Sequence, residues 1–173
     1  TGAEAAVTGA AEEAIAAAKI AQKQWVDGGK DIRFGVVEQI RKVSIANAEK
    51  WAKTAVAETG MGRVEDKIIK NIVAAERSLG PEDLEIKSYS RCCNDNGALT
   101  VDMAPYGVIA AITPMTNPAP MVINNTIIMI SAGNSVVYLP HPSAIKVTLD
   151  SLIVVHDAIV AAGGPRNLIT STK

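Results

Sequence analysis

One polar turn in the chain combines residue types and spacing that are suited to chemistry. The segment Thr113–Pro118 reads Thr-Pro-Met-Thr-Asn-Pro and follows an apolar stretch. Two prolines fix φ in this segment, so the amide of Asn117 can be held rigidly at the end of a predicted strand. Its N–H₂ group can donate there to a developing oxyanion. The competing interpretation is that Asn117 caps the helix beginning at Pro118, and spacing alone favours capping.

The cysteines and histidines form no recognisable nucleophilic or metal-binding pattern. Cys92 and Cys93 are adjacent and precede a polar turn, so we interpret them as ordinary thiols in a reducing compartment. His156 lies on the apolar side of a predicted helix and is interpreted as a packing residue. His141, between two prolines, is equally consistent with a ligand contact and with plain loop structure. No metal is predicted, because ligand spacing is lacking.

Composition limits the classes of protein to which the chain can belong. Its 173 residues, 48% hydrophobic content and net charge of −1 describe a soluble globular domain or part of a larger protein. The balanced charge and the aromatic content of 3% give no indication of nucleic-acid binding. The longest apolar runs are too short to span a membrane. We therefore expect neither nucleic acid nor a membrane as a partner.

Residues 1–80 have helical periodicity and are predicted to form a helical layer that packs on the rest of the fold. Turn residues interrupt the pattern at Gly28-Gly29, at Gly60-Met61-Gly62 and at Gly80-Pro81. The middle interruption is interpreted as a helix stop rather than a phosphate-binding loop. Asp31 is predicted to be the N-cap of the second helix. The predicted apolar faces contain Ile15, Ala18, Trp25, Phe34, Val37, Ile40, Ile45, Trp51, Val56, Val64, Ile68, Ile72 and Ala75.

The remaining residues predict an α/β fold. Residues 81–104, with the turn Asn94-Asp95-Asn96-Gly97, are predicted to form a hairpin or crossing ribbon. Residues 105–173 alternate between strands and helices and predict the first βαβαβ part of a parallel Rossmann-like sheet. Since doubly wound sheets usually contain five or more strands, we interpret the chain as the amino-terminal part of a larger enzyme whose catalytic domain lies elsewhere.

A series of short motifs along the chain resembles the aldehyde dehydrogenase superfamily in content and order. The resemblance is closer to the CoA-acylating branch, typified by the propionaldehyde and acetaldehyde dehydrogenases of bacterial microcompartments. Each motif alone is weak, but the ordered set is specific. The motifs are Glu58-Thr59-Gly60-Met61-Gly62-Arg63-Val64-Glu65-Asp66-Lys67, Pro105-Tyr106-Gly107-Val108-Ile109, Thr113-Pro114-Met115-Thr116-Asn117-Pro118, Ile123-Asn124-Asn125, Ala132-Gly133-Asn134-Ser135-Val136-Val137, Pro140-His141-Pro142 and Gly163-Gly164-Pro165-Arg166-Asn167-Leu168.

The resemblance implies roles for two segments at the ends of predicted strands. Asn117 matches the side-chain donor of the oxyanion hole, which holds the oxygen of the thiohemiacetal formed by the aldehyde and the catalytic cysteine. The strand end beside the nicotinamide corresponds to Thr113, Pro114, Met115 and Thr116. The segment beside the adenosine corresponds to Leu139, Pro140, His141 and Pro142. Many family members carry Lys where this chain has Leu139, so the choice between NAD and NADP stays open.

The resemblance also implies what the complete protein does. It would oxidise a small aldehyde to acyl-CoA with NAD, through a thioester on a cysteine in a second domain. A homo-oligomer, a microcompartment shell as a further partner and a location in the cytoplasm or inside a microcompartment are implied as well. The alternative is a noncatalytic nucleotide-binding or assembly module, in which residues 4–18 form a targeting helix instead of a structural one.

Overall fold

A computed structural model describes residues 7–8, 10–84, 89–94, 97–101 and 103–172. Its strands and helices confirm the predicted α/β class, with helices first, then a hairpin, then a parallel sheet. In chain order the elements are β1 (Val7–Thr8), α1 (Ala11–Asp27), α2 (Asp31–Ala46), α3 (Ala48–Thr59), α4 (Val64–Arg77), β2 (Tyr89–Asn94), β3 (Gly97–Val101), β4 (Val108–Ile112), α5 (Pro118–Ser131), β5 (Ser135–Leu139), α6 (Ile145–Ala161) and β6 (Ile169–Thr172).

The main sheet is parallel and has the strand order β1-β6-β5-β4. Three of these strands were predicted from the sequence. The fourth, β1, was not, because it has only two residues and gains its strand conformation by pairing with β6. A separate antiparallel pair, β2 and β3, confirms the predicted hairpin. Cys92 and Cys93 lie on β2; residues 85–88 and 95–96 of the predicted ribbon lie outside the described residues.

Helices cover both faces of the sheet. Successive side chains of a strand point to opposite faces, and on β5 they enter two different clusters. Val136 and Tyr138 belong to the large core that contains residues of α5 and α6, whereas Val137 packs with Ala14 and Ala18 of α1. Helix α1 therefore lies on one face, and α5 and α6 cover the other. Helices α2, α3 and α4 pack against α5 and α6 from outside.

The helix stop after α3 is confirmed. Gly60 has φ 67°, in the left-handed region, and its N–H donates to the carbonyl of Val56 at 2.9 Å. A glycine adopts this conformation without the steric cost that a Cβ imposes. The start of α2 was predicted one residue too late, since Asp31 is the first helical residue and Lys30 occupies the N-cap position.

Several apolar positions predicted from helical periodicity are not buried. Phe34 and Ile45 are 49% and 41% exposed, because α2 turns Val36, Val37 and Ile40 towards the core. Ile15 is 39% exposed, and Val56 is half-buried. The predicted packing role of His156 is confirmed, since its ring is buried and Nε2 accepts a hydrogen bond from the N–H of Asn167 at 3.4 Å.

Helix α4 departs furthest from the predicted pattern, because its buried face is mostly polar. Lys67, Asn71 and Ala75 are buried, and Ser78 follows on the same side just after the helix. The predicted apolar positions Val64, Ile68 and Ile72 are only half-buried. Lys67 donates to the carbonyl of Thr116 in the turn before α5, and Ser78 donates to Oδ1 of Asn124 on α5. Asn71 donates to the carbonyl of Ala48 at the start of α3. Periodicity of apolar residues could not reveal this arrangement.

Candidate functional site

The two segments predicted to meet the cofactor lie side by side at the carboxyl edge of the sheet. Residue Ile112 at the end of β4 pairs in register with Leu139 at the end of β5. Beyond this pair the buried Thr113 donates to the carbonyl of Leu139 from its N–H at 3.1 Å and from its hydroxyl at 3.4 Å. The fold therefore brings residues 113–116 and 139–142 together at the edge where open α/β sheets bind ligands.

Asn117 occupies the N-cap position of α5 without using its side chain as a cap. Its φ and ψ are −137° and 57°, and its carbonyl accepts the first helical hydrogen bond from Met121 at 3.1 Å. The amide makes no hydrogen bond to the N–H groups of the first turn. The capping interpretation is thus correct for the backbone and wrong for the side chain. The half-buried amide is left for other contacts.

Two lysines of α4 hold the turn that carries this amide. Lys70 donates from Nζ to Oδ1 of Asn117 at 3.2 Å, and Lys67 donates to the carbonyl oxygen of Thr116 at 2.8 Å. Lys67 is only 8% exposed and forms no ion pair with the described carboxylates. Burial, and secondarily the charge of Lys70, lower the pKa of Lys67. A perturbed lysine beside a candidate donor is typical of functional sites.

Sequence reasoning missed both lysines as parts of the site. Lys67 and Lys70 are three residues apart, a spacing that places side chains on one face of a helix. The signal that could have revealed the buried polar face of α4 is the stripe Lys67, Asn71 and Ser78, which repeats with helical spacing beside the half-buried isoleucines.

A small cavity lies on the α3 and α4 side of Asn117. Its volume is about 10 Å³, and its lining includes Trp51, Ala55, Lys67, Asn71 and Pro118. Asn71 donates to the carbonyl of Ala48 at 2.8 Å, whereas its buried Oδ1 has no partner. The space approaches the size that one water needs and is far too small for a substrate.

The helix that follows β5 does not offer its first turn to a phosphate. Glu58, from α3, places one carboxylate oxygen 2.7 Å from the N–H of Lys146 and the other 2.8 Å from the N–H of Val147. These N–H groups are the ones with which helix N-termini bind anions. In the first turn of α5, Pro118 and Pro120 have no N–H at all. Neither turn resembles the glycine-rich phosphate cradle of other dinucleotide-binding folds.

The segment after β5 is partly open to solvent. Leu139 is 37% exposed, Pro142 is exposed, and Pro140 and His141 are half-buried. Nδ1 of His141 accepts a hydrogen bond from the N–H of Ser143 at 3.1 Å, so the ring caps the short 3₁₀ turn Pro142–Ala144. The structural role of His141 is therefore confirmed, and its contact with a ligand stays a prediction.

Within the described residues, no three His, Cys, Asp or Glu side chains are grouped as metal ligands. None of the helices in this part of the chain combines the length and the apolar character that crossing a membrane requires.

A parallel sheet that is covered by helices on both faces, with paired segments at the carboxyl ends of its strands, is typical of doubly wound α/β proteins. Residues 2–171 match the sequence model of the aldehyde dehydrogenase family, and the chain belongs to that family. It is 45% identical over 162 residues to the acetaldehyde dehydrogenase (acetylating) EutE of Escherichia coli strain K12, covering 92% of this chain and 33% of EutE. The chain thus spans about a third of the length of the curated relatives it matches.

Solved structures of two propionaldehyde dehydrogenases and of an engineered glycolyl-CoA reductase have the same fold. A propionaldehyde dehydrogenase from the fucose utilisation microcompartment of Clostridium phytofermentans superposes with a TM-score of 0.91 at 42% identity, covering 98% of this chain and 38% of the other. The propionaldehyde dehydrogenase of Rhodopseudomonas palustris, with bound CoA and an acylated cysteine, superposes with a TM-score of 0.90 at 40% identity, covering 98% of this chain and 38% of the other. An engineered glycolyl-CoA reductase with bound NADP⁺ superposes with a TM-score of 0.90 at 39% identity, covering 98% of this chain and 38% of the other.

Proposed function

We propose that this chain is part of a CoA-acylating aldehyde dehydrogenase, to which it contributes one side of the nucleotide site and the side-chain donor of the oxyanion hole. The observation that carries the proposal is the position and bonding of the Asn117 amide. The amide lies in the turn after β4, makes no capping bond and accepts a hydrogen bond at Oδ1 from Lys70. The acetylating and propionaldehyde-specific relatives support the reaction class.

Asn117 acts on the oxygen of the aldehyde. When a cysteine thiolate of the complete protein attacks the carbonyl carbon, negative charge develops on that oxygen. The Nδ2 group of Asn117 donates to it, and this stabilises the transition state more than the ground state. The cysteine belongs to the second domain proposed from the resemblance, not to Cys92 or Cys93. The chain length relative to EutE leaves ample room for such a domain.

The residues present fit a nucleotide on the open edge of the sheet. Thr116 and Leu139 are exposed there, on two adjacent segments that Thr113 ties together. Glu58 limits where a phosphate of the nucleotide can bind. Its carboxylate accepts hydrogen bonds from the N–H groups in the first turn of α6 and repels a phosphate from them. When bound, NAD or NADP accepts the hydride that leaves the thiohemiacetal carbon. Met115 and Pro114 line the nicotinamide side in this proposal, and Pro140, His141 and Pro142 line the adenosine side.

The proposal extends to the acyl acceptor, the assembly and the location of the enzyme. CoA is the acyl acceptor, as the CoA-bound Rhodopseudomonas palustris structure supports. NAD is retained as the oxidant from the family resemblance, although the engineered reductase carries NADP⁺. The relatives support a small aldehyde as substrate and a location in the cytoplasm or within a microcompartment. A homo-oligomer is proposed from the family resemblance alone.

The alternative, a noncatalytic binding or assembly module, has less support. A targeting helix at the amino terminus should present a free face, whereas Ala14 and Ala18 of α1 are fully buried against the sheet. Calorimetric titration of the isolated chain with NAD and with CoA separates the two functions. Tight binding of both would favour a module, and failure of both to bind would favour an incomplete site.

Replacement of Asn117 by Ala in the complete enzyme tests the oxyanion assignment. We expect kcat to fall about a hundredfold or more, with the dissociation constant of the nucleotide changed far less. Asn47→Ala is the matched control, because Asn47 lies at the end of α2 and only bonds to the carbonyl of Val43. Near-normal turnover of Asn117→Ala would show that the assignment is wrong.

A further inference from the structure

We propose that Lys70 is a positioning residue that fixes which end of the Asn117 amide faces the substrate; this inference rests on the proposed function. An Asn amide can be turned by half a rotation, which exchanges its oxygen and its N–H₂ group. The ammonium of a lysine donates hydrogen bonds and cannot accept them. The amide atom 3.2 Å from Nζ of Lys70 must therefore be Oδ1.

The orientation of the amide follows from this contact. With Oδ1 held on the side of α4, the Nδ2 group is turned away from that helix. Among the described residues, Nδ2 makes a weak contact of 3.5 Å to the hydroxyl of the exposed Thr116. At least one N–H of Asn117 is then free for an oxyanion, because the amide carries two and no other described acceptor takes the second.

A second lysine fixes the backbone from which the amide projects. Lys67 reaches the carbonyl of Thr116, which belongs to the peptide that joins Thr116 to Asn117. Rotation of that peptide would break a 2.8 Å hydrogen bond of a buried ammonium, which costs more than loss of a bond at the surface. Lys67 therefore fixes the position of the amide, and Lys70 fixes its orientation.

The contact also strengthens the amide as a donor. A cation at Oδ1 withdraws electron density from the amide group, and hydrogen bonds that share a group in this way reinforce one another. Among the described residues, the ammonium of Lys70 hydrogen-bonds to Asn117, so its effect on the oxyanion passes through Asn117.

Charge and donor capacity at position 70 can be varied independently in the complete enzyme. Lys70→Arg keeps a cationic donor, Lys70→Met keeps the aliphatic stem without a donor, and Lys70→Glu presents only acceptors. We expect the Arg variant to retain kcat within a few-fold. The kcat of the Glu variant should fall by most of the roughly hundredfold decrease expected for Asn117→Ala, because an acceptor at position 70 draws the N–H₂ group towards itself. The Met variant should lie between them. The KM for the aldehyde should change much less than kcat.

Two controls make the result specific. Lys23→Glu makes the same charge change on an exposed position of α1 and should leave kcat unchanged. In an Asn117→Ala background, Lys70→Glu should lower kcat no further, since the path through the amide is already lost. An equal fall of kcat in both backgrounds would overturn the proposal.

Failure of this inference is distinguishable from failure of the proposed function. If Lys70→Glu turns over within twofold of the parent while Asn117→Ala is strongly impaired, the positioning role is wrong and the oxyanion assignment stands. If Asn117→Ala itself turns over normally, both are wrong. Because Lys70 is exposed, its variants should fold, and circular dichroism with thermal unfolding verifies this before the kinetics are compared.

Discussion

The ammonium nitrogen of Lys67 lies 2.8 Å from the carbonyl oxygen of Thr116, although 49 positions of sequence separate the two residues. This contact joins the outer helical layer to the turn that carries Asn117. It explains why α4 buries a charged side chain where an amphipathic helix ordinarily buries an apolar one. The outer helices of this fold are therefore part of the site and not only a cover for the sheet.

Gly62 makes room for Lys67, and a side chain there should disturb the site. A Cβ on Gly62 would lie 3.2 Å from Cε of Lys67, and the residue has φ 78°. Gly62→Ala should therefore destabilise the protein by about 1 kcal/mol through backbone strain and should also lower kcat by displacing Lys67. Steady-state kinetics and thermal unfolding of the complete enzyme measure the two effects separately.

Gly60→Ala is the matched control for this prediction. Gly60 has φ 67°, and a Cβ there would meet no atom within 4 Å. The two substitutions should lower the free energy of unfolding by similar amounts, and only Gly62→Ala should reduce kcat. Equal kcat values for the two variants would show that the position of Lys67 does not matter for turnover.

The lowered pKa of Lys67 predicts a specific dependence of stability on pH. The pKa is depressed in the folded state by burial and by the charge of Lys70, whereas in the unfolded state it takes the ordinary value of about 10.4. Between these two values the unfolded state binds more protons, so stability rises with pH. The contribution is fully present above the ordinary lysine pKa and is lost as the pH falls through the folded-state pKa.

Comparison with Lys67→Met isolates this contribution from those of the other titrating groups. The difference in unfolding free energy, parent minus variant, should increase between pH 8 and pH 11 in chemical denaturation experiments. A difference that stays flat over this range would mean that the pKa of Lys67 is the same in both states. Lys30→Met provides the control, since Lys30 is an exposed residue before α2.

The sequence was informative where function depends on local backbone and uninformative where it depends on distant partners. The prolines around Asn117 marked a restricted turn by themselves, but spacing alone favoured capping, and only the motif resemblance implied an oxyanion role. Strands β4 and β5 were identifiable from their apolar runs. The roles of Lys67 and Lys70 depend on carbonyl and amide oxygens almost fifty residues away. Strand β1 depends likewise on β6. Such partners are invisible until the chain is folded.

Glu58 should contribute to the stability of α6 through the two N–H groups that its carboxylate accepts. Both bonds are short and involve a charged acceptor at the positive end of a helix, so the contribution exceeds that of an ordinary cap. Glu58→Ala should therefore destabilise the protein by about 1 to 3 kcal/mol, and Glu58→Gln by less, because one amide oxygen still accepts. Thermal and chemical unfolding give these differences, and Glu38→Ala, at an exposed position of α2, is the control. An unchanged unfolding midpoint for Glu58→Ala would mean that water replaces the carboxylate at no cost.

Removal of Glu58 also exposes the N–H groups of Lys146 and Val147. The Ala variant should therefore bind inorganic phosphate or sulfate more tightly than the parent in a titration monitored by thermal shift.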